Sequence, residues 1–218
     1  MKHKHVLLKV LIVTFLVVFN MNVFGYIYHN GSSSGYTNDE DNPERDAGTI
    51  EVYIIDGADY YFSAHSDIIS MLKMYELQDR NGIDYEMFNR ALDSAVANME
   101  NAAATYENLI RTVEVTPYNE EVIDRLLSFD YYTFMKENGL NRVIGEKVES
   151  YLKKGDITGI YKETYSTFLY ILKLLNVLKE EISPGKPPEL SIMWELNDVC
   201  SKSSLFGSYV SRVFYAVL

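Results

Sequence analysis

The side chains in this sequence best suited to ligation or catalysis are His65, the lone Cys200 and tyrosine, of which there are 18. His65 recurs at helical spacing with Tyr61, Ile68, Leu72 and Tyr75, and residues three, four and seven apart share one face of a helix. That pattern turns the imidazole toward the interior of a helical bundle. Tyr161 and Tyr165 stand one helical turn apart further along the chain. A buried tyrosine brings an apolar ring and a hydroxyl that needs a partner. Tyr61, His65, Tyr161 and Tyr165 are therefore the candidate ligand-binding set, lining an inter-helix cleft suited to a small polar-aromatic or amphipathic molecule. Plain core packing predicts the same periodicity. An inward histidine could also hold b-type haem, with a methionine such as Met99 as the second axial ligand. Haem b is the alternative, and no cofactor is the expectation.

Most other chemistries lack their residues. Beyond residue 25 only His29 and His65 remain, and a di-iron bundle needs two inward Glu-x-x-His pairs. The HExxH zinc motif, the Walker phosphate loop and GxGxxG are all absent from the sequence. Counting Asp39 as the first position of a calcium loop puts Glu44 where the turn requires glycine and Ile50 where it requires glutamate. No metal ligand and no catalytic residue is assigned. Carboxylates and tyrosines abound without a diagnostic spacing, so the expectation leans toward a non-enzymatic protein.

Glu86, Asp93, Glu100, Glu107 and Glu114 recur every seven residues, placing five acids along one helix face. They are the candidate docking stripe for a basic partner or cation. The alternative is a solvent face, in which Glu86–Arg90 and Glu107–Arg111 pairs each contribute about 0.2–0.5 kcal/mol.

The compartment is written at the start of the chain. Lys2, Lys4 and Lys9 precede an apolar run from Val10 to Phe19, followed by Val23 and Gly25. A cationic start, a short apolar stretch and small or aliphatic residues before a cut describe a secretory signal peptide, and the run falls short of the roughly 20 residues that cross a bilayer. Residues 1–25 are expected to be removed. An uncleaved anchor is the rival, disfavoured by Lys9, Asn20 and Asn22 within it. The protein is thus expected to be exported, periplasmic or secreted, with no transmembrane span after cleavage. The full chain has a formal charge of −11; residues 1–25 hold three Lys and no acid, leaving 17 basic and 31 acidic residues and a charge of −14. Such a surface disfavours nucleic acid, and the expected partner is a small ligand or an envelope protein, the alternatives being a self-associating structural bundle or an exported enzyme of unrecognised class. A single cysteine forbids an intramolecular disulfide, and the apolar surroundings of Cys200 predict burial.

Several elements must position these groups. Residues 26–48, rich in Gly, Ser and acids, are expected to be a flexible leader, and residues 49–218 one helical domain. Residues 50–55 alternate like a strand, or serve as an extended arm or the start of a helix broken at Gly57. A first helix is expected from Asp59 to Arg80, stopped by Asn81-Gly82. A second begins after an Asp84 cap, and its 3-4 seam runs from Tyr85 through Phe88, Leu92, Ala95, Met99, Ala102, Tyr106 and Leu109 to Val113. Thr116-Pro117 opens a third, ending at Asn138-Gly139, and a short helix spans about Leu140 to Lys154. Gly155-Asp156 ends it and caps the next, carrying Phe168, Leu172, Leu175 and Leu178, and Pro184 to Pro188 forces a turn before the last helix. The fold class is all-α: an up-and-down bundle of four long helices plus one short helix.

Overall fold

The computed structural model describes residues 43–77, 82–115, 120–139, 141–182 and 188–217. The proposed signal peptide and most of the proposed leader lie outside them. Four long helices dominate: α1 (Pro43–Glu76), α2 (Tyr85–Val115), α6 (Ile157–Glu181) and α7 (Leu190–Val217). Three short ones, α3 (Glu120–Ser128), α4 (Tyr131–Glu137) and α5 (Arg142–Leu152), bridge α2 to α6. Cross-helix partners give the directions. Tyr106 of α2 packs at Gly57 of α1, Asp93 and Glu114 of α2 pair with Lys179 and Lys162 of α6, and Tyr61 of α1 reaches Cys200 and Ser204 of α7. The two ion pairs make α6 antiparallel to α2, and Tyr61 with Cys200 and His65 with Asn197 make α7 antiparallel to α1; α1 packs on α2 and α6 on α7, so the four long helices close into a ring.

The second-helix seam is found in full: Phe88, Leu92, Ala95, Met99, Ala102, Tyr106, Leu109 and Val113 are buried, and Tyr85 packs at its end. Asp84 caps this helix, its Oδ1 accepting from the Met87 N–H at 3.1 Å. Asp156 caps α6 through the Gly159 N–H at 2.7 Å. Gly82, Gly139 and Gly155 carry positive φ at the stops between helices, where a side chain would be strained.

Two expectations are corrected. The first helix starts not at Asp59 but at Pro43 and runs unbroken through Gly57, so of the three readings of residues 50–55 the helical one holds, residues 43–48 of the proposed leader join the helix, and no strand occurs among the described residues. Ile50 and Ile54 are four residues apart as well as in an alternating run, and both are buried on the same face as Ala58 and Tyr61. Packing against α2 decides between the two periods. The expected third helix is two, broken at Phe129-Asp130. Asp130 accepts from the Thr133 N–H at 3.0 Å, and the Tyr131 hydroxyl donates to the Leu126 carbonyl at 3.0 Å, so the corner satisfies its own exposed backbone groups.

Candidate functional site: the seam between the first and last helices

Helical spacing places Tyr61 and His65 one turn apart on α1, facing α7. The Tyr61 hydroxyl donates to the Cys200 carbonyl at 2.6 Å and lies 3.1 Å from Ser204 Oγ. Its ring stacks on Phe168 of α6 with centroids 5.1 Å apart. Phe168 in turn meets Tyr106 edge-on at 4.9 Å, and Tyr106 lies 6.4 Å from Tyr161. Of the four predicted ligand-binding residues, Tyr61 and Tyr161 are buried in this aromatic layer, while His65 and Tyr165 are half-buried. The layer is closely fitted. A Cβ on Gly57 would come within 2.7 Å of two Tyr106 ring carbons, so only glycine lets α1 approach the ring. Burial drives the Tyr61 and Tyr106 phenols far above their ordinary 10, so both stay neutral. Tyr106 Oη is buried with no hydrogen-bond partner among the described residues.

His65 lies at the α1–α7 seam. Burial pushes its imidazole below the ordinary 6.5, and a hydrogen bond with the Asn197 side chain opposes that shift. Its Nε2 is buried and unpartnered among the described residues. Antiparallel register from the Gly57–Tyr106 contact puts Met99 at the axial level of His65, on the opposite neighbour of α1. Cys200 is fully buried, and desolvation raises its thiol to about 12, where it is neither nucleophile nor metal ligand at neutral pH.

The outer edge of the seam is apolar. On α7, Leu190, Trp194, Asn197, Ser201 and Ser204 follow at alternating spacings of four and three, so Trp194 shares a side with the two residues that reach α1. Leu190, Trp194 and Leu205 are 38%, 50% and 42% exposed. On α1, Phe62 and Ile69 flank His65 on the same side, and Ile55 lies one heptad before Phe62; all three are half-buried. A half-exposed tryptophan with Leu190 one turn and Leu205 about three turns away along the helix is the kind of surface that anchors protein partners. Sequence periodicity missed this edge because it highlights the inward stripe, and Leu190, Trp194 and Leu205 stand about a quarter-turn outside it.

The acidic stripe of α2 is on the opposite flank. Glu86 pairs with Arg90, Glu107 with Arg111, Asp93 with Lys179 and Glu114 with Lys162. Four of the five acids are thus matched within the fold, two of them by lysines of α6, and Glu100 stands exposed between them. Sequence reasoning also missed a polar tie between α5 and α6, in which Glu163 accepts from Lys147 and, at 2.9 Å, from the Tyr151 hydroxyl. Burial and that carboxylate raise the Tyr151 phenol to about 12. Among the described residues no group of three or more His, Cys, Asp and Glu is arranged to hold a metal ion, and no helix is long and apolar enough to cross a membrane. No protein-family model, no curated protein and no solved structure matches the chain.

Proposed function

We propose that this chain is an exported, non-enzymatic helical bundle that binds a protein partner of the envelope or the extracellular space through the outer edge of the α1–α7 seam. The observation that carries this reading is Trp194, the only tryptophan of the chain, standing half exposed with Leu190 and Leu205. Tryptophan is among the residues that most often carry the energy of a protein interface, with near-neutral contacts around it that exclude water. The inner tyrosines favour a protein over a small ligand, because Tyr61, Tyr106, Tyr161 and Phe168 spend their faces on one another and Tyr61 spends its hydroxyl on α7. The export half of the reading is supported by the Lys-rich start and short apolar run of the first 25 residues.

The test is photo-crosslinking in cells that express the full chain. A benzophenone side chain is placed at position 194 in one variant and at position 100, on the opposite flank, in another. The reading predicts a discrete heteromeric adduct from position 194, formed only by the processed, exported chain and absent from position 100. Equal labelling at both positions, or none at 194, contradicts it.

A further inference from the structure

The outer face of α1 carries a second pattern that neither the core nor the seam uses. Starting at Val52, every step of four then three residues lands on the same outward line: Asp56, Asp59, then Ser63, Ser66 and Ser70. Two more steps reach Lys73 and Leu77. Helical hydrogen bonding still holds at its end, where the Leu77 N–H donates to the Lys73 carbonyl at 2.9 Å. The line is apolar at both ends, with Val52 48% and Leu77 80% exposed. It is small in the middle, acidic on one side of centre and basic on the other. Alternating spacings of four and three are those of a coiled-coil seam, here facing solvent.

We propose that this face binds a second copy of the chain, the two α1 helices pairing antiparallel about a two-fold axis midway between Ser63 and Ser66. An isologous contact requires a surface complementary to itself after reversal, and this line meets that condition. Reversal about residues 64–65 sets Asp56 against Lys73 of the second copy, Val52 against Leu77, and Ser63 against Ser66, each pair occurring twice. Among the described residues Asp56, Asp59 and Lys73 have no ion-pair partner within their own chain. The two acids sit three residues apart on one helix face; burial raises both carboxyls above the ordinary range, and repulsion from Asp56 adds to the shift of Asp59. A facing ammonium relieves that repulsion. The central serines let two helix axes approach closely, and Ser70 carries little desolvation cost because its hydroxyl already donates to the Ser66 carbonyl at 2.9 Å.

The inference is independent of the heteromeric partner proposed above: a monomer that still crosslinks from position 194 sinks only this one. Sedimentation equilibrium of the mature chain, residues 26–218, is expected to show a reversible monomer–dimer system. Asp56→Lys sets Lys against Lys73, and Lys73→Asp sets Asp against Asp56. Each is expected to raise the dimer dissociation constant at least tenfold, and the double exchange Asp56→Lys/Lys73→Asp to restore it to within a few-fold. Helix content by circular dichroism confirms that each variant is folded; since both sites are exposed, the double exchange carries the argument should one single variant unfold. A strictly monomeric chain, a dimer indifferent to both single changes, or a double exchange as weak as the singles overturns the proposal.

Discussion

Gly57→Ala is expected to destabilise a helix that it would ordinarily strengthen. At an unconstrained interior position of a helix, replacing Gly by Ala contributes about 1 kcal/mol of stability. At position 57 the new methyl would lie 2.7 Å from Cδ2 and Cε2 of Tyr106 and 3.4 Å from Thr105 Cγ2. The ring cannot retreat, because Tyr106 is fully buried and is held edge-on by Phe168 and by Tyr161. Forcing an added carbon into such a core costs about 1–3 kcal/mol. Set against the propensity gain, the net loss is about 0–2 kcal/mol, or a fall of up to about 8 °C in Tm for a domain of this size. Thermal and urea unfolding of Gly57→Ala measure it directly. A double-mutant cycle then isolates the cause. In a Tyr106→Leu background the ring is gone, and the same Gly57→Ala change is expected to become neutral or stabilising. A rise in Tm for Gly57→Ala alone would refute the close approach of α1 to Tyr106, and so the layer that closes the interior.

Two hydroxyls in that layer are expected to behave oppositely. Tyr61→Phe loses the 2.6 Å bond to the Cys200 carbonyl and should cost about 0.5–1.5 kcal/mol in urea unfolding, whereas Tyr106→Phe removes a buried, unpartnered hydroxyl and should be neutral or stabilising. Native Cys200, buried with its thiol raised to about 12, should resist thiol-specific reagents at pH 8 and react fully in denaturant. Rapid labelling of the folded chain would disprove its burial. The pH dependence of stability should carry a His65 component of definite sign. Burial lowers the native imidazole below 6.5, so at pH values between the two the unfolded chain binds more protons. The His65 contribution is full above pH 6.5 and is lost as pH falls through the lowered native value. His65→Gln should flatten the stability profile in that window, and an unchanged profile would show that the imidazole is solvated.

How much of this was legible in the sequence follows from where apolar burial sets the pattern. The seam of α2, the Asp84 and Asp156 caps and the stops at Gly82, Gly139 and Gly155 were readable because each rests on local chemistry that nothing distant overrides. Residues 50–55 were not, since Ile50-Glu-Val-Tyr-Ile-Ile satisfies a period of two and a turn-spaced pair at Ile50 and Ile54 at once; contact with α2 makes the choice. The break at Asp130 was hidden for a related reason, a capping aspartate being visible as such only once Tyr131 is seen to turn back on Leu126. Among the site residues, the inward placement of Tyr61 and Tyr161 follows from periodicity. Their mutual packing does not, because it depends on Phe168 and on the glycine at position 57. Trp194 was invisible as an anchor, since exposure on the outer edge of a seam has no periodic signature.

Native mass spectrometry of residues 26–218, the chain that the proposed cleavage would leave, decides between an outer binding surface and an inner binding cavity. A closed aromatic interior and an outward-facing binding surface predict the bare mass of the polypeptide, as monomer and as dimer, with no added small molecule. One small molecule retained per chain, and released when Tyr161 or His65 is replaced by alanine, would contradict the account and return function to the interior of the bundle.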